Sequence, residues 1–174
     1  MDEFEMSDLG LMHYFLGIEV MQSHDGIFIS QKKYVREILD RFKMKDCNAA
    51  NTIVDPSLKL HKDLEEKRLD SMLYQKIIDS LMYLTATRPD IMYSVSLISR
   101  YMGNSSKMHL LAAKRILRYL QGTKDFGLFY KRGIKSNLLG FTDIDYARDQ
   151  DDHRSTLGYA FILGTTVISW SFKK

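Results

Sequence analysis

Leu138-Leu-Gly-Phe-Thr-Asp-Ile-Asp-Tyr146 sets two carboxylates, Asp143 and Asp145, two residues apart in a run otherwise apolar, β-branched or aromatic. Side chains two apart on a strand share a face, so the spacing predicts a strand over 138–146 with both acids on one side. An acidic stretch with Asp149, Asp151 and Asp152 follows. Then come runs at 155–163 and 166–172, rich in Val, Ile, Phe, Tyr, Thr and Trp, with Gly164 and Thr165 between them. Such runs around a Gly-containing break read as a β-hairpin, here paired with the Asp143 strand. A carboxylate pair on a strand is what a metal-assisted phosphodiester hydrolase sets beneath divalent cations, and a solvated strand edge gives the same pattern. A calcium loop counted from Asp143 fails, because its sixth and twelfth positions are Arg148 and Arg154.

The other 137 residues are organised by a shift from strand to helix periodicity. Residues 12–30 alternate loosely and break at His24, Asp25 and Gly26, which predicts a hairpin. Ser30 is positioned to cap a helix over 31–42 carrying Tyr34, Val35, Ile38, Leu39 and Phe42 on one face. Periodicity fades over 46–70, where Pro56 and the charges at 62–68 mark a linker. Three helices are expected next. One over 71–86 presents Tyr74, Ile77, Ile78, Leu81, Met82 and Thr85. A second, with Thr87 as cap and Pro89 in its first turn, carries Ile91, Met92, Val95, Ile98 and Met102. A third ends at Gly122 and carries Met108, Leu111, Ala112, Ile116, Tyr119 and Leu120. A short strand over 126–130 leads to the Asp143 strand.

The composition is that of a folded chain, with 45% hydrophobic and 27% charged residues. No apolar run approaches the roughly 20 residues of a membrane helix. The N-terminus is acidic, without the basic-then-apolar layout of a signal peptide, and Cys47 stands alone, so no disulfide partner is expected. These features predict an intracellular protein, in cytoplasm or nucleus. The five histidines lack ligand spacing. Net charge is +3, yet Lys107, Lys114, Arg115, Arg118, Lys124, Lys131, Arg132 and Lys135 face only Asp125 across 107–135. That basic segment is a candidate nucleic-acid surface, or a set of solubilising charges.

Several blocks carry a resemblance. Gly-Phe-Thr-Asp-Ile-Asp-Tyr-Ala at 140–147, Asp-Asp-His-Arg-Ser-Thr-Leu-Gly-Tyr-Ala-Phe-Ile-Leu-Gly at 151–164 and Ile-Ser-Trp-Ser-Phe-Lys-Lys at 168–174 resemble the start of the ribonuclease H domain in Ty1/copia-type retrotransposon Pol polyproteins. The blocks at 80–91, with Thr-Arg-Pro-Asp, and at 112–123 resemble that protein's connecting region. Asp-Leu-Gly at 8–10 and Tyr-Phe-Leu-Gly-Ile-Glu-Val at 14–20 resemble the tail of its reverse-transcriptase palm.

The resemblance implies an α+β fold in four parts. These are a palm hairpin and thumb-like helix over 1–45, a linker over 46–70, a helical connection over 71–124, and the first strands of a ribonuclease H-like antiparallel sheet over 125–174. For the family enzyme it implies RNA-directed DNA synthesis and hydrolysis of RNA/DNA hybrids with Mg2+. Only Asp143 matches a family catalytic and metal-binding position. The polymerase Tyr-Val-Asp-Asp motif belongs upstream of this chain and the other ribonuclease H carboxylates beyond it. Asp79, Tyr146, Arg148 and Phe172 also depart from the family's usual residues. The expectation is therefore a Pol fragment without catalysis or cofactor of its own, with weak affinity for hybrids or other nucleic acids. A rival expectation comes from Arg115-Ile-Leu-Arg118, which spells the Arg-x-Leu-Arg tag of secreted effectors inside a predicted helix.

Overall fold

A computed structural model describes residues 10–55, 60–61, 71–135, 137–145 and 156–173. Asp149, Asp151, Asp152 and the charged stretch 62–68 lie outside the described residues, as does the side chain of Asp145.

The N-terminal alternation forms β1 (Tyr14–Phe15), β2 (Ile18–Gln22) and β3 (Gly26–Ser30), joined by tight turns. The first turn needs a left-handed residue, supplied by Gly17 at φ 76°, beside the Tyr83 ring. In the second, Ser23 receives a hydrogen bond at its Oγ from the Gly26 N–H, 3.2 Å away. The strand β4 (Gly127–Lys131) completes this sheet in the order β1-β2-β3-β4, all antiparallel. Gly127 permits the pairing, since a Cβ there would lie 2.3 Å from the Ile29 carbonyl oxygen. The family resemblance groups this strand with the unit beginning at 125. Its backbone hydrogen bonds pair it with β3 of the N-terminal hairpin.

Four helices build the core: α1 (Lys32–Arg41), α2 (Ser71–Leu84), α3 (Pro89–Ser99) and α4 (Lys107–Gly122). Val35, Ile38 and Leu39 of α1 bury against Tyr74, Ile77, Ile78, Leu81 and Leu84 of α2 and the inward faces of α3 and α4. Helix α1 and helices α2–α4 thus share one core across the expected linker. Each fully buried Leu or Ile contributes about 1.5–3 kcal/mol relative to exposure.

Several local expectations are corrected. Met82 and Leu111 are exposed, and buried Leu84, Ala113 and Leu117 replace them in the stripes. Ser30 and Thr87 cap nothing: the N-cap positions are Gln31 and Arg88, without side-chain caps. The Thr87 hydroxyl donates instead to buried Gln31 Oε1 at 2.8 Å, tying the start of α1 to that of α3. On α4, buried His109 accepts the Ser106 N–H at its Nδ1, 3.0 Å away, and stacks on Tyr101 with ring centroids 4.0 Å apart.

The C-terminal runs form β5 (Leu138–Asp145), β6 (Thr156–Leu163) and β7 (Thr166–Lys173), an open antiparallel sheet in that order. The hairpin and its pairing with the Asp143 strand are as expected. The third strand docks on the rest of the chain. Trp170 Nε1–H donates to the Thr85 carbonyl at 3.0 Å, Ser96 Oγ–H to the Phe172 carbonyl at 3.2 Å, and Tyr130 O–H to the Val167 carbonyl at 3.1 Å. The Thr166 hydroxyl also donates to the Phe129 carbonyl. The fold is α+β: two open antiparallel sheets about a helical core.

Candidate functional site

Asp143 lies on β5 opposite Gly158 of β6, which in turn faces Phe172 of β7. Opposed residues of antiparallel strands share a face. Asp143 therefore stands in one row with Gly158 and Phe172, beside the row Phe141, Ala160, Trp170. That face overlooks the N-terminal half of α3, where Pro89, Met92 and Tyr93 close a groove. Asp143 is exposed there. Among the described residues no three His, Cys, Asp or Glu side chains converge to hold a metal ion. One strand carboxylate among aromatic rings is a poor match for Mg2+, which demands near-octahedral oxygen ligation. Among the described side chains, the donor set around Asp143 is a single carboxylate, fewer ligands than Mg2+ requires.

The basic segment is not one patch. Lys107 opens α4 and Lys124 follows its end, about 25 Å apart along the helix axis. Arg115 and Arg118 face a strap formed by residues 45–55. Arg115 Nη2 donates to Thr52 Oγ1 at 2.8 Å, and its Nη1 lies 3.5 Å from Asp55 Oδ2. Arg118 Nε donates to the Asn48 carbonyl at 2.8 Å, while the Ala50 N–H donates to the Arg118 carbonyl at 3.1 Å. Gln121 Nε2 reaches the Lys45 carbonyl at 2.6 Å. The strap also sends Ile53 against the core. These two arginines hold chain to chain, and they are the arginines of the Arg-x-Leu-Arg tag.

A different cluster of charges emerges from the fold, with Glu37 and Asp40 beside Arg36 and Lys124. Lys32 pairs with Asp125, whose carboxyl is held below its ordinary range by hydrogen bonding and charge from Lys32, with smaller help from Arg36 and Lys124. Helix α1 thus brings Lys32 and Arg36 beside Lys124. Exposed Lys131 and Arg132 follow at the far end of β4, a strand about 14 Å long. By sequence alone Lys32 and Arg36 belong to a mixed, solvated helix face; only the packing of α1 beside the end of α4 joins them to Lys124.

Sequence reasoning also missed a buried, two-pronged ion pair. Arg88 is 2% exposed, and its Nε and Nη2 grip Asp90 Oδ1 and Oδ2 at 2.9 and 2.7 Å. Nη1 and Nη2 also donate to the carbonyl and hydroxyl of Thr123, both at 2.9 Å, and the guanidinium sits 5.6 and 5.3 Å from the ring centroids of Tyr119 and Phe126. Tyr119 O–H completes the shell of Asp90 at 2.9 Å. Burial opposes ionisation of Asp90, but the Arg88 hydrogen bonds and charge outweigh it and leave the carboxyl below its ordinary range. The same burial and the Asp90 charge push the Tyr119 phenol upward. The Thr-Arg-Pro-Asp block carried the signal, read as a helix start and as part of the resemblance.

Taken together, these features define an α+β protein whose cationic side chains serve partly as internal ties and partly as an exposed surface. A family model described as reverse transcriptase (RNA-dependent DNA polymerase) matches residues 1–56. The chain is 43% identical over 171 residues to the retrovirus-related Pol polyprotein from transposon RE1 of Arabidopsis thaliana, covering 98% of this chain and 12% of that protein. It is 38% identical over 172 residues to an uncharacterised mitochondrial protein of the same plant, covering 98% of this chain and 71% of the relative. It is also 39% identical over 102 residues to secreted RxLR effector protein 161 of Plasmopara viticola, covering 58% of this chain and 72% of the relative. No solved structure matches. The chain belongs to the Ty1/copia-type retrotransposon Pol polyprotein family, and spans about one eighth of the Pol polyprotein it matches.

Proposed function

We propose that this chain is a Pol segment that is not an enzyme by itself and retains weak, salt-dependent affinity for nucleic-acid duplexes, RNA/DNA hybrids among them. In this reading β1–β3 and α1 are the end of the palm and a thumb-like helix, α2–α4 the connection, and β5–β7 the opening strands of a ribonuclease H-like sheet. Mg2+ belongs to the family enzyme, and the protein works inside the cell. The observation that carries the binding reading is the convergence of Lys32 and Arg36 with Lys124, continued by Lys131 and Arg132.

Binding of a hybrid duplex should weaken steeply with salt, because each neutralised phosphate releases condensed counterions. Changing Lys124, Lys131 and Arg132 to Gln should flatten the slope of log affinity against log salt by roughly 1 for each side chain that meets a phosphate. Salt-insensitive binding, or binding that survives this triple change, would discard the idea. For catalysis the decisive measurement is Mg2+-dependent hybrid cleavage by the pure protein; robust cleavage abolished by Asp143→Asn would overturn the non-enzymatic reading.

The similarity to effector protein 161 favours a second reading, a secreted effector. It predicts export, so fractionation that finds the protein only within producing cells removes it.

A further inference from the structure

The groove between α3 and the C-terminal sheet combines features that the nucleic-acid reading leaves unused. Its walls are aromatic: Tyr93 from α3, and Phe141, Trp170 and Phe172 from the sheet. Asp143 is the single charged side chain among the described residues that line it. Three of these rings have fixed neighbours, while Phe141 is exposed. The Trp170 indole is committed to the Thr85 carbonyl, and Phe172 lies over Gly158, where a Cβ would fall 2.4 Å from its ring. Phe172 also meets Tyr93 edge to face, with centroids 4.8 Å apart.

A carboxylate among aromatic rings suits one ligand class. The π-faces carry negative potential and attract a soft, weakly hydrated cation, and the carboxylate adds a full opposite charge. An anion would meet the carboxylate, and among the described side chains a hard divalent ion would find one oxygen ligand group where it needs several. We propose that this groove binds a methylated ammonium group, with Asp143 as its counter-charge and the aromatic walls as its cage. The proposal is independent of duplex binding, since Lys124, Lys131 and Arg132 do not line the groove.

Trp170 is the only tryptophan in the chain, so its emission reports on the groove directly. The pure protein is titrated with choline at matched ionic strength, and in parallel with dimethylbutanol, the neutral isostere in which carbon replaces the quaternary nitrogen. The expected result is a saturable change with choline and binding about fivefold or more weaker for the isostere, the range expected of a cation–π contact. Asp143→Asn, an exposed substitution, should weaken choline by a similar factor. Tyr93→Leu, which keeps apolar contact with Phe172 but removes a π-face, should do so as well. Equal binding of the two ligands would make the groove merely apolar and overturn the proposal. So would unchanged affinity in Asp143→Asn, or no saturable response. Emission that shifts with protein concentration but not with choline would mean a second copy covers the groove, and would also overturn it.

Discussion

Arg88 and Asp90 show how one pair of side chains can join three elements. The guanidinium has its hydrogen bonds to Asp90 and Thr123 while buried between two rings, so truncation strands a carboxylate and two acceptors at once. Arg88→Ala should cost about 3 kcal/mol in urea unfolding, the low end for a broken buried pair because Asp90 keeps 31% exposure. The pair also sets a pH dependence. The folded Asp90 carboxyl titrates below its unfolded value near 3.9, so its contribution is fully present above about pH 4 and is lost as pH falls through the lower folded value. Asp90→Asn should flatten that part of the acid limb, read as the urea midpoint against pH. Asp143 is the contrast. It is exposed on its strand, so Asp143→Asn should leave the thermal midpoint within about 1 °C, as for an ordinary surface substitution.

The helix α4 and the strap over 45–55 exchange bonds in both directions, side chain to backbone and backbone to backbone. Arg115→Ala should cost about 1 kcal/mol, since its hydrogen bond and ion pair are partly solvated. It should also open the strap to limited proteolysis while helicity by circular dichroism stays unchanged. Neutralising Arg115 and Arg118 should therefore affect stability more than duplex affinity, opposite to the effect of changing Lys131 and Arg132. A helical wheel marks the arginines as polar; it does not show that a hydroxyl, a carboxylate and a carbonyl of residues dozens of positions earlier come to meet them.

In the molecule as a whole, the segments interlock: α1 is buried with α2–α4, β4 pairs with β3, and β7 docks on α3 and β4. Ile38→Ala, at a fully buried position of α1, should cost about 2–5 kcal/mol and lower the unfolding midpoint of α2–α4 together with that of α1. A midpoint for the bundle independent of this substitution would show that the N-terminal segment folds apart from it. Much of this architecture was legible in the residues alone. The Val, Ile and Tyr runs around Gly164 specify β6 and β7 because β-branched and aromatic side chains suit a pleated surface. The recurrence of Ile77, Ile78 and Leu81 specifies α2 because three- and four-residue spacing lines one helical face. What no local pattern carries is the partner of each element. Whether β4 pairs with β3 or joins the later strands, whether Arg115 meets phosphate or Asp55, and whether Lys32 lies beside Lys124 all depend on contacts between distant positions. Those are chosen by burying the faces of α1–α4 in a single core, where the gain belongs to the assembled set and not to any one stretch of chain.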